Sequence, residues 1–67
     1  MVDIARLKAQ IVLRGKTADE TAKAIGMSHS TWHNRLNGKV SFTLEEVVKL
    51  SEYLGMSKDD VMQIFFA

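Results

Sequence analysis

The stretch "GMSHSTWHNRLNGK", Gly26 to Lys39, holds both histidines of a 67-residue chain, four residues apart. On a helix that spacing puts two imidazoles on one side, where they could ligate zinc or move protons. A zinc site needs further thiolate, imidazole or carboxylate ligands. The chain has no Cys, and no suitably spaced carboxylate accompanies the pair. A catalytic histidine needs a nucleophile or an acid partner, and only scattered Ser and Thr are offered. Neither an enzyme nor a metal site nor a cofactor is therefore expected. What remains is hydrogen-bonding chemistry. Ser28, His29, Ser30, Thr31, His33, Asn34 and Asn37 surround a single Trp32 with neutral donors and acceptors. A helix face made only for solubility would carry Lys/Glu pairs. This face is suited to a partner that is itself patterned in donors and acceptors.

The elements that position these residues must come from a small chain. At this length folding buries only about 60% of the unfolded surface, and the absence of Cys removes disulfides as a supplement. An apolar content of 46% suffices for a core built by helix packing. The opening "MVDIARLKAQIVLRG" is interrupted by Asp3, Arg6, Lys8 and Arg14, so it reads as neither a signal peptide nor a membrane span. A cytoplasmic protein with no membrane partner and no small-molecule substrate is expected, because short helices leave little room for a pocket. The net charge of +1 hides an asymmetry: residues 1–40 carry seven Lys/Arg against three acids, residues 41–67 two Lys against five acids. A polyanion would be met by the first part and repelled by the second.

Apolar residues recur at helical spacing throughout, without strand-like alternation and without proline. Ile4, Leu7 and Ile11 mark a first helix that stops at Gly15. Thr17 and Glu20 form a capping box for a second, with Ala22 and Ile25 inward and Gly26 as its end. Ser28 caps a third helix, in which Trp32 and Leu36 share one side and Gly38 is the stop. Thr43 with Glu46 opens a fourth, whose apolar positions are Leu44, Val47, Val48, Leu50, Tyr53 and Leu54. Glu45, Glu46 and Glu52 read as its solvated face. Ser57 with Asp60 opens a fifth, with Val61, Ile64 and Phe65 as an inward stripe. The methionines at 27, 56 and 62 read as gap fillers. The expectation is an all-α, compact five-helix single domain over residues 1–67.

The second and third helices are joined by "GMS", a short turn with Gly first. Alanine at 22, glycine four on and a large apolar residue six further fit a helix-turn-helix over about residues 17–37. Over nearly its full length, through "TADETAKAIGMSHSTWHNRLNGK" and "TLEEVVKLSEYLGMS", the chain resembles the Cro/CI-type, lambda-repressor-like helix-turn-helix family. Its ending "DDVMQIFFA" and "RLNGKVSFTLEEV" look most like small regulators of temperate phages of Gram-positive bacteria. The resemblance implies a transcriptional regulator, a repressor or Cro-like protein, that binds a double-stranded DNA operator, usually as a dimer.

By motif position the base-reading residues are His29, Ser30 and Asn34. Asn pairs bidentately with adenine, His donates to guanine, and Ser is permissive. Phosphate contacts are assigned to Asn37 and Lys39, which match family positions at the backbone, and to Thr17 at the second helix's N-terminus. His33, Arg35, Ser28 and Thr31 complete that set. Two residues depart from the family pattern. Ala18 stands where many members have a Gln that touches the DNA backbone. Arg35 occupies a position often apolar, with Leu36 taking over the packing. Met62 and Phe66, left outside the inward stripe of the fifth helix, are the expected dimer or partner contact. The competing function is a protein-binding modulator that grips a partner repressor.

Overall fold

The computed structural model describes residues 2–66, which form five helices and no strand. They are α1 (Ile4–Leu13), α2 (Ala18–Ala24), α3 (His29–Leu36), α4 (Leu44–Leu54) and α5 (Lys58–Phe65). Each start is fixed by a short polar side chain. Asp3, Thr17, Ser28, Thr43 and Ser57 accept the backbone N–H three residues on, one of the orphan donors of a helix N-terminus. At Thr17, Thr43 and Ser57 the acid at the third helical position reaches back to the cap's own N–H, completing the boxes anticipated from sequence.

The turn after α2 decides where α3 points. Ile25 leaves the helix, and Gly26 follows with φ +76°, a conformation that costs an L side chain about 1–2 kcal/mol. That geometry lets the Gly26 N–H reach the Lys23 carbonyl at 3.1 Å and the Met27 N–H reach that of Ala22 at 2.9 Å. This is a Schellman closure, after which Ser28 at once caps α3. The angle between α2 and α3 is thus set by backbone hydrogen bonds.

The core gathers one face from each helix: Leu7 and Ile11, Ala22 and Ile25, Trp32, then Val47, Leu50 and Leu54, and finally Ile64 and Phe65. Leu7 and Leu50 are wholly enclosed. Thr21 is the buried polar side chain among them, and its hydroxyl donates to the Thr17 carbonyl at 2.8 Å, so its burial leaves nothing unpaired. α1 and α4 each pack on both α2 and α5, while α3 rests chiefly on α2. The start of α1 meets the end of α5: the Asp3 N–H donates to the Ile64 carbonyl at 2.7 Å, and Arg6 reaches Gln63 at 2.7 Å. Among the described residues no helix is long and apolar enough to cross a membrane.

Candidate nucleic-acid interface

α3 is a short peripheral helix held by one large side chain. Trp32 is 2% exposed and meets the Phe42 ring edge-on with centroids 6.1 Å apart. Phe42 in turn meets Phe65 edge-on at 5.6 Å, so the α3–α4 loop passes this anchorage on to α5. Leu36 packs on the core half-buried. With those two inward, His29, Ser30 and His33 stand exposed on the outer surface and Asn34 is half-buried. The three residues read from sequence as base-reading therefore lie on one short helix, two of them open to solvent.

The face is not uniform. His29 Nδ1 lies 3.5 Å from Asp19 Oδ1 on α2, a pair that is ionic only when the imidazole is protonated. The His33 ring meets the His29 ring edge-on, centroids 5.0 Å apart. Among the described residues no three His, Cys, Asp or Glu side chains converge to hold a metal. The Asp19–His29 pair is not legible in the sequence, because the two residues are ten apart across a turn whose angle no short-range spacing reveals.

The residues expected at phosphates divide into free and engaged groups. Lys39 and Asn37 are exposed beside the C-terminal end of α3, and the Lys39 and Val40 N–H groups close that end by donating to the Asn34 carbonyl. Ser28 and Thr31 are bound to one another, with the Ser28 hydroxyl donating to Thr31 Oγ1 at 2.9 Å and accepting from the Thr31 N–H at 3.2 Å. At Thr17 both the N–H and the hydroxyl are taken by Glu20. Asp19 and Glu20 also place two carboxylates in that first turn, a poor setting for an anion.

Arg35 is turned inward instead of outward. Its Nε and Nη2 donate to the two carboxylate oxygens of Glu46, each at 3.0 Å, with the side chains only 14% and 18% exposed. The double hydrogen bond from Arg35 holds the Glu46 carboxyl below the usual carboxylate range, against the opposing effect of burial. Glu46 is thus part of the α3–α4 junction and not of a solvated face, which is left to Glu45 and Glu52.

Below this junction lies an open apolar groove of about 740 Å³. Leu36, Val40, Phe42, Leu44, Phe65 and Phe66 line much of it, and among the described residues Arg35 is its one charged wall residue. α4's apolar positions divide accordingly: Val47, Leu50 and Leu54 are buried, whereas Leu44 and Val48 are exposed. Met62 is exposed on α5 and lies outside the groove.

Fold and site together define a small five-helix domain with a polar, outward-facing third helix. The chain belongs to the family described as "Protein of unknown function (DUF739)", whose model matches residues 1–67. No curated protein and no solved structure matches it.

Proposed function

We propose that the chain is a sequence-specific DNA-binding transcriptional regulator of the helix-turn-helix kind, with α2 and α3 as the motif and α3 as the helix that enters the major groove. One observation carries this reading. α3 gives Trp32 and Leu36 to the core, and its outer surface offers neutral hydrogen-bonding side chains at His29, Ser30, His33 and Asn34. Such groups suit base edges, which are distinguished by donor and acceptor pattern and not by charge. Backbone phosphates would be met by Lys39 and Asn37, with His33 flanking. Arg35 and Thr17 are left out of that set because Glu46 and Glu20 occupy them. The working species on DNA is a homodimer, because one short helix reads few base pairs and discriminates poorly against abundant non-specific sites. The setting in which such a regulator acts is the cytoplasm of a bacterial host.

Selection of bound duplexes from a random pool, followed by titration across salt, tests the proposal. A pseudo-palindromic consensus should emerge, with half-sites about 34 Å apart. Affinity should fall by about 0.9 log units per tenfold rise in salt for each phosphate neutralised. A pool that yields no consensus sinks the reading. The exposed apolar groove favours a second one: a modulator that grips a partner repressor. A salt-insensitive complex with that repressor, and none with DNA, would establish it.

A further inference from the structure

His29 and His33 stand one turn apart on α3, and the fold turns both side chains outward. Their ring centres lie 5.0 Å apart. With metal–nitrogen bonds of about 2.1 Å and ring centres ~1.2 Å further out, two imidazoles on one ion have centres about 5 Å apart. The helix therefore holds the pair at the separation that a shared ion requires. The rings cross edge-on at 77°, and both are in solvent, so each can turn a nitrogen toward a common point without unpacking the core. We propose that His29 and His33 chelate a divalent late transition-metal ion across one turn of α3, with Asp19 as the outer partner of His29.

Asp19 supplies what spacing on α3 cannot. A ligating imidazole usually donates its other ring N–H to a carboxylate or carbonyl, which fixes the tautomer and raises the ligand's basicity. Asp19 Oδ1, in the first turn of α2, lies 3.5 Å from His29 Nδ1. That contact leaves Nε2 of His29 as the ligating atom. The donor set then decides the ion. Two imidazoles, in a chain without Cys, suit copper, nickel or zinc, and not magnesium or calcium, which take oxygen ligands. The remaining coordination positions keep water, because among the described residues no three His, Cys, Asp or Glu converge to hold an ion. The lack of further protein ligands rules out a closed, four-ligand structural zinc. It leaves room for an exposed and reversible site, tighter for copper than for nickel. An ion held there takes both imidazoles away from any other hydrogen-bonding partner of α3. Where α3 reads DNA, the ion competes with base edges; that consequence rests on the DNA-binding reading, whereas the chelate itself does not.

The test uses the full chain and Ni²⁺ alone, without DNA, so that failure of the DNA-binding reading leaves its outcome legible. Ni²⁺ should raise the Tm and saturate, because a chelate that needs the helix binds the folded chain in preference to the unfolded one. Mg²⁺ at the same concentrations should not. Both rings lie outside the core, so His29→Gln and His33→Gln should keep the fold by circular dichroism. Each should lower Ni²⁺ affinity at least tenfold. The double variant should be scarcely weaker than either single one, because one imidazole alone cannot chelate. Asp19→Asn should weaken binding several-fold. In proton spectra, trace Cu²⁺ should broaden the imidazole signals of both histidines together. A wild type whose Tm and imidazole signals ignore these ions overturns the proposal. So does a single His variant that keeps wild-type affinity, the mark of two separate sites, or an Asp19→Asn variant that binds like the wild type.

Discussion

Glu46 binds both Arg35 and its own helix cap: Oε1 accepts from Arg35 Nε at 3.0 Å and from the Thr43 N–H at 2.9 Å, while Oε2 takes Arg35 Nη2. One carboxylate thus ties the last turn of α3 to the first turn of α4 across the intervening loop. Removing either partner leaves a partly buried charge unpaired, whereas removing both does not. Arg35→Met and Glu46→Gln should each lower the urea midpoint. The double variant Arg35→Met/Glu46→Gln should lose clearly less than the sum of the two single losses. Strict additivity in that cycle would mean the pair is not coupled.

The same pair sets a pH dependence. Glu46 in the folded protein lies below its unfolded value, held there first by the Arg35 hydrogen bonds. Its contribution is therefore complete above the unfolded carboxylate range and is lost as pH falls through the depressed folded value. Urea midpoints measured between neutral pH and about pH 3 should fall less steeply for Glu46→Gln than for the wild type. Equal slopes would show that other carboxylates govern the acid limb.

Trp32 carries α3's anchorage, yet its indole N–H has no acceptor among the described residues. Trp32→Ala should cost about 3–5 kcal/mol, enough to unfold much of a domain this small. Trp32→Phe keeps the aromatic contact with Phe42 and forfeits no hydrogen bond, so thermal unfolding should place it much closer to the wild type.

At Gly26 an added methyl would meet no atom within 4 Å, so only the backbone conformation opposes it. Gly26→Ala should therefore destabilise by about 1–2 kcal/mol, and Gly26→Asn by less. A much larger loss in Gly26→Ala would point to a steric role for this turn.

On DNA, Asn34→Ala and His29→Ala should each weaken specific binding by about 1–3 kcal/mol and relax preference at separate base pairs. Lys39→Ala should lower affinity for all duplexes alike and reduce the salt slope by about one. Asp19→Asn removes the carboxylate 3.5 Å from His29 and should raise affinity for every duplex. Competition titrations against specific and random duplexes separate these patterns, and unchanged binding in all four variants would remove α3 from the interface.

Helix identity and helix ends were legible because their determinants are local. A cap at Thr17 or Ser28 and its partner lie three residues apart, and a Gly that ends a helix acts through the preceding turn. The inward stripes were legible through periodicity, Trp32 and Ile64 among them. What stayed hidden depends on how helices cross. Arg35 and Glu46 are 11 residues apart, so the sequence suggested an outward arginine and a solvated glutamate where the fold makes an ion pair. Leu44 reads like any apolar residue opening a helix, and only the placement of α5 and the α3–α4 loop turns it into the border of a groove. Asp19 beside His29 is of the same kind.

The bond between the Asp3 N–H and the Ile64 carbonyl makes the order of helices a ring with one missing link. Because chain ends that lie close together are readily joined, a short linker from residue 66 to residue 2 should permit circular permutation. The new opening belongs in the loop at residues 38–41, which lies outside every helix. In such a molecule α4 and α5 would precede α1, and α3 would become the final element, while the α2–α3 turn stayed intact. Connectivity could thus be rearranged around α3 without disturbing the backbone hydrogen bonds that set its angle to α2.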